Sequence, residues 1–143
     1  MGAWKSRLLA LMLGYVIAVL STTVFAEDYL YDVLAKPAYG KSWNALFRGE
    51  KKVDPWLAKY FKTKDGPATP GSAVKLGGTQ CQVYFVCKTH DCDRNRFLVM
   101  FAPNGSAAWG VLLKDGEGGK QERFFGAPDQ AKRDALRAVA AKG

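Results

Sequence analysis

The residues best able to do chemistry crowd into CKTHDC, positions 87 to 92. Cys87 and Cys92, two of the three cysteines, fall there with the single histidine, His90, beside Lys88, Thr89 and Asp91. With Cys81, six positions upstream of Cys87, they make a nominal Cys₃His zinc set. Its spacing argues against zinc: five, two and one intervening residues form no ligand knuckle, and His90-x-Cys92 crowds two ligands together. A Cys–His nucleophile pair fits less well, because such partners meet across a fold and not two residues apart on one loop. Two readings stay open: a structural disulfide beside an incidental histidine, or a ring built to present one. No metal, cofactor or catalytic residue is expected, and the chain is not read as an enzyme. With His90 on the loop, no second general base or nucleophile pair is visible.

The compartment decides what those cysteines do. The chain opens with Lys5 and Arg7, followed by the uncharged, apolar run Leu8 to Leu20 and then STTVFA. Val24 and Ala26 supply the small residues of a cleavage site, so residues 1–26 read as a secretory signal peptide. A run this short falls below the ~20 residues of a membrane span. The expected product is a soluble exported protein, periplasmic in a Gram-negative sender, cleaved after Ala26. In that setting Cys87 and Cys92 oxidise readily.

Residues 27–143 then form one domain with a single modest core. Without Lys5 and Arg7, 19 basic residues stand against 13 acidic ones, a net charge of +6. The basic residues are dispersed, from Lys51 and Lys52 to Lys132, Arg133 and Arg137, which describes a solvated surface. Nucleic acid is not an expected partner outside the cell. Weak attraction to anionic envelope polymers would be screened by salt.

The elements that must position the loop follow from periodicity. DYLYDVLAK, KSWNALF and DPWLAKYF are helical and aromatic, the last with Asp54 as N-cap and Pro55 at the first helical position. Trp56, Leu57 and Tyr60 recur at helical spacing and are expected in the core. Lys62 to Ser72, rich in Gly and Pro, reads as a connector. The period then changes to two. Gly77-Gly78 marks a hairpin between two short strands. Arg96 to Ala102 is an apolar strand ended by PNGS, and Ala107 to Lys114, the DGEGG turn and KQERFFG complete five strands. Tight turns between them predict an antiparallel meander. Pro128 marks a closing helix whose stripe of Ala131, Ala135, Leu136, Val139 and Ala140 lies opposite its basic residues. The fold class is α+β: a five-stranded antiparallel sheet flanked by short helices. An uncovered edge strand would allow a homodimer.

CKTHDCDRN thus falls at a strand–strand connection. A disulfide across four intervening residues closes a small ring, worth roughly 2 kcal/mol by loop entropy. Stability is a weak reason to build it. Preorganisation is a better one, because a tight ring lowers the entropy lost when Lys88, Thr89, His90 and Asp91 dock.

CKTHDC followed by NRFLVM resembles the protruding loop of the inhibitor of vertebrate lysozyme (Ivy) family of Gram-negative bacteria. LAKPAYGKSWNALFRGEKKVDPWL, PATPGSAVKLGGTQCQVYFVC and AWGVLL extend the similarity over residues 30–126. The resemblance implies a periplasmic inhibitor of host C-type lysozyme that inserts this loop into the substrate cleft. It maps the inhibitory histidine onto His90, the flanking disulfide onto Cys87 and Cys92, and supporting positions onto Lys88 and Asp91. Thr89 stands where the best-known member has proline, which costs the loop rigidity. Cys81 is an odd thiol, expected to be buried with Val83 and Phe85; an intermolecular bridge or shuffling with Cys87 is the alternative.

A neutral imidazole offers one donor and one acceptor. Lysozyme holds one carboxyl group protonated and a neighbour ionised, and retaining glycosidases place such a pair about 5–5.5 Å apart. One imidazole can bridge that gap. Protonating it would lose the accepted bond but strengthen attraction to carboxylates, so inhibition should persist in mild acid. C-type lysozymes are basic, as this chain is, so affinity must come from local fit. Rim contacts are expected from Asp91 and Asp93 beside Lys88 and Arg94. Two other readings are carried: restraint of the cell's own lytic transglycosylases by the same loop, and peptidoglycan binding without inhibition through Trp43, Trp56 or Trp109.

Overall fold

The computed structural model describes residues 28–143. The signal peptide read at 1–26 and the cleavage after Ala26 lie outside the described residues. Among those residues no helix is long and apolar enough to cross a membrane.

Three helices come first: α1 (Leu30–Val33), α2 (Pro37–Leu46) and α3 (Pro55–Thr63). Five strands follow, β1 (Ala68–Leu76), β2 (Thr79–Cys87), β3 (Asn95–Phe101), β4 (Ala108–Gly116) and β5 (Gly119–Phe125), and then α4 (Gln130–Ala140). The strands lie in sequence order and every pairing is antiparallel, so the α+β meander is as expected.

Alternation along β2 sends Tyr84 and Val86 to one face, and Cys81, Val83 and Phe85 to the other. The central strand β3 is buried on both faces from Phe97 to Phe101, which explains its continuous apolar run. Helices α1 to α3 cover the first face. There Trp43, 1 % exposed, meets Phe97 edge-on at 5.5 Å and Phe47 at 5.3 Å. Such aromatic pairs contribute about 0.5–1.5 kcal/mol each beyond burial. Gly110 on β4 is needed for this arrangement, since a Cβ there would stand 2.5 Å from the Phe97 ring.

Helix α4 covers the second face, with Leu136 fully buried among Val83, Leu98, Met100 and Val111. Asp129 caps it, accepting from the Lys132 backbone N–H at 2.9 Å, so the helix starts just beyond Pro128. Ala131 is exposed and drops out of the expected stripe. The basic side chains do not stand away from the sheet either. Arg133 and Arg137 lie over Phe124 at 4.9 and 5.2 Å, and Lys132 over Trp109 at 4.6 Å. Here the charged heads themselves lie over the ring faces, a cation–π contact that ties α4 to the sheet.

Two further expectations change. The connector Lys62–Ser72 ends at Pro67, because β1 already begins at Ala68. Its Pro70 and Gly71 occupy an irregularity in the β1–β2 register between Thr69 and Ser72. A bulge on an edge strand is where a residue without an N–H is tolerated. Asp54 holds the N-cap position of α3, yet its side chain makes no cap bond and pairs with Lys114 Nζ at 3.0 Å. That pair ties the start of α3 to β4.

Candidate functional site

The β2–β3 connection, residues 88–94, stands at the end of the sheet where β1 begins and the β4–β5 hairpin turns. Cys87 and Cys92 are joined by a disulfide with their Cα atoms 4.9 Å apart. Lys88 N–H donates to the Asn95 carbonyl at 3.0 Å, closing the ladder at the loop's base. Two turns are stacked above it. Asp91 N–H reaches the Lys88 carbonyl at 2.9 Å, and Asn95 N–H reaches the Asp91 carbonyl at 3.0 Å.

His90 is the third residue of the first turn, with φ +60°. That is the place a type II turn normally gives to glycine or asparagine. A side chain there costs on the order of 1–3 kcal/mol and persists only where the surroundings over-determine it. Here they do, through the ring and through Asp91. The Asp91 carboxylate accepts from Arg94 Nε at 2.8 Å and from Asn95 Nδ2 at 2.6 Å, with Lys88 Nζ 3.8 Å away. The bond from Arg94 is the main reason its pKa falls below the usual carboxylate value, with Asn95 adding to it. Asp91 therefore braces the loop from within, and the exposed Asp93 is left at the rim.

A second brace comes from outside. Thr89 Oγ1 donates to Asp65 Oδ1 at 2.9 Å, and Cys87 N–H donates to the Pro67 carbonyl at 3.0 Å. Between those anchors sits Gly66 at φ +140°, so close that a Cβ would stand 2.4 Å from the Cys87 carbonyl oxygen. The segment from α3 to β1 is thus a strut against the ring. The rigidity expected to be lost with Thr89 is offset by this hydroxyl bond, which a proline at that position has no group to make. Thr89 and Asp91 are both engaged by the scaffold, and His90 between them is exposed.

Of the residues singled out in the sequence, Cys87, Lys88, Thr89, His90, Asp91 and Cys92 come together in this loop. Cys81 does not. It is a free, buried thiol with Val83 and Phe85, as expected. Six positions of extended strand separate it from Cys87, about 20 Å, so a zinc set that includes it cannot assemble in this fold. Trp43 is core, while Trp56 and Trp109 are half-buried and pack on the two faces. Asp65, Gly66 and Asn95 were missed as site residues. For Asn95 a signal existed, because Asp91 and Asn95 fall at the i, i+4 spacing of a paired turn. Asp65 is 24 positions from Thr89, and no local pattern links them.

Comparison with known proteins follows the same residues. The family model described as "Inhibitor of vertebrate lysozyme (Ivy)" matches residues 38–141. An inhibitor of vertebrate lysozyme of Pseudomonas aeruginosa is 34 % identical over 109 residues, 76 % of this chain and 69 % of that protein. The one of Escherichia coli K12 is 32 % identical over 108 residues, 74 % of this chain and 65 % of its own length. An uncharacterised protein of Yersinia pestis is 30 % identical over 95 residues, 66 % of this chain and 56 % of its own length.

Proposed function

This chain belongs to the inhibitor of vertebrate lysozyme family, and on that premise we propose that it is an exported, periplasmic inhibitor of C-type lysozyme. It acts as a plug and not as an enzyme. The ring Cys87–Cys92 enters the substrate cleft and places His90 between the two catalytic carboxyl groups. The neutral imidazole accepts from the protonated acid and donates to the ionised carboxylate. Both catalytic groups are then occupied in their resting protonation states, so the enzyme is held and no covalent step is needed.

The observation that carries this reading is His90 itself: exposed, at φ +60°, on a loop whose other polar side chains hold it in place. Positive φ recurs at Lys52, Lys64, Asn104 and Ala127, so what marks His90 is an exposed imidazole on a braced loop. A binding site can use it, because pre-ordering the loop removes ordering entropy from the association step.

The test is a turbidity assay of bacterial walls with a C-type lysozyme, using the oxidised protein, the reduced protein and His90→Ala. The oxidised protein is expected to inhibit. His90→Ala should weaken inhibition by about 2 kcal/mol or more, the size of a central hot spot. Reduction should weaken it as the ring opens. Undiminished inhibition by His90→Ala would refute the histidine mechanism.

A further inference from the structure

The geometry points to a second, two-sided part of the enzyme-binding surface: a pair of hollows flanking the loop that seat the two lips of the lysozyme cleft. This rests on the functional reading above and extends it beyond the loop. The strand order places the α3–β1 strut on one side of the β2–β3 loop and the β4–β5 tip on the other. Each side is concave. On the strut side, Trp56, Lys59, Thr63 and Asp65 face Lys88 and Thr89 across a hollow of about 250 Å³. On the hairpin side, Asp91, Arg94, Lys114, Asp115, Gly118 and Gln121 line a hollow of about 300 Å³. Loop residues form one wall of both. A loop that enters a cleft must leave room for the walls of that cleft, and these hollows are the room beside it.

Their chemistry differs, so each selects a different lip. The strut-side hollow has an indole surface and two ammonium groups, Lys59 and Lys88, while its one carboxylate, Asp65, already accepts from Thr89. It suits a lip that brings a carboxylate or backbone carbonyls. In the hairpin-side hollow the two cations are already matched, Arg94 with Asp91 at 2.8 Å and Lys114 with Asp54 at 3.0 Å, while Asp115 adds a carboxylate acceptor. Its rim includes Gly116, Gly118 and Gly119. Glycines let backbone approach backbone, so this side suits a polar loop that brings N–H donors.

The experiment measures inhibition of a C-type lysozyme by two variants that leave residues 87–92 untouched. Lys59→Glu reverses the exposed charge of the strut-side hollow. Gly118→Trp fills the hairpin-side hollow at a position where an added Cβ meets only Gln121 Nε2, at 3.5 Å. Lys75→Glu, at the far end of edge strand β1, makes the same charge change as the first variant outside both hollows. Each hollow variant is expected to weaken inhibition about tenfold with an unchanged unfolding midpoint, and Lys75→Glu to leave it within about twofold. If the unmodified protein does not inhibit, the functional reading falls and takes this one with it. If it inhibits and His90→Ala does not, but both hollow variants match the unmodified protein, the loop acts alone and the two seats are refuted. Loss at one hollow only refutes the two-sided arrangement, and equal loss in Lys75→Glu refutes the local one.

Discussion

Thr89 Oγ1 lies 2.9 Å from Asp65 Oδ1, a bond from the loop apex to the corner between α3 and β1, 24 positions away in sequence. It gives the first turn of the loop an anchor that does not depend on the disulfide. The two constraints act on the same short segment: the ring closes its ends at 87 and 92, and the hydroxyl holds 89 between them. His90, one residue on, inherits its position from both.

Asp65→Ala should therefore loosen the apex with the ring intact. The expected result is about a tenfold loss of lysozyme inhibition, on the order of the 1.4 kcal/mol that a charge-assisted side-chain bond contributes. Asp65→Asn keeps a carbonyl acceptor and should retain most of the inhibition. Amide exchange of residues 88–91 checks the cause, since it should quicken in Asp65→Ala and stay slow in Asp65→Asn. Equal loss in the two variants would show that the charge of Asp65, and not the bond, matters, and no loss in either would refute the anchor.

Asp91 sets the acid limit of the loop. Its folded pKa is below the ordinary value of 3.8, chiefly through the bond from Arg94. A lowered carboxylate pKa means the folded state binds its proton less readily than the unfolded chain. The brace is thus fully present above about pH 4 and fades as pH falls through the depressed value. The Asp91 carboxyl resonance should titrate with a midpoint below 3.8, and the protection of the Arg94 and Asn95 amides should fall in the same range. Between pH 7 and pH 4 the loop should hold its shape. A midpoint at or above 3.8 would contradict the bracing role.

How much of this could be read in the chain depends on the range of each interaction. The period-two alternation of Cys81, Val83 and Phe85 against Tyr84 and Val86 identified β2 and its faces, because a strand writes its burial into neighbouring residues. The loop was equally legible, since a disulfide ring and its histidine are contiguous. Pro70 and Gly71 misled, because both residues usually mark turns; a bulged edge strand tolerates them for the same backbone reasons. Asp54 was placed at the right position but with the wrong partner, since Lys114 of β4 lies 60 positions on. Asp65 and the hollow that it helps to line have no sequence signature. They exist only once α3 and β1 have been folded against the ring.

Cys81 tests the placement of the odd thiol. It is buried among Val83, Leu98 and Met100 and lies far along the strand from the ring. The native protein should show no reactive thiol to an aqueous thiol reagent, and one on unfolding without reductant. Cys81→Ala should cost about 1 kcal/mol through lost packing and leave inhibition unchanged. Two or three thiols on unfolding would mean that the ring is open, and a reducible dimer would mean that Cys81 is exposed in solution.

The last prediction concerns how two basic proteins meet. With residues 1–26 removed the chain carries a net +6, and the target expected from the family's character is basic as well. Long-range forces between them are repulsive, and at an ionic strength of 0.15 M the Debye length is only about 8 Å. Added salt screens that repulsion before the loop reaches the cleft, whereas contacts made inside the cleft are dry and screened far less. The association rate should therefore rise with moderate salt, while the dissociation rate stays nearly constant. Stopped-flow mixing with a C-type lysozyme between low and moderate ionic strength measures both. A rate of association that falls steeply as salt is added would show that complementary charge steers the encounter, and that local fit at His90 and the flanking hollows is not what brings the partners together.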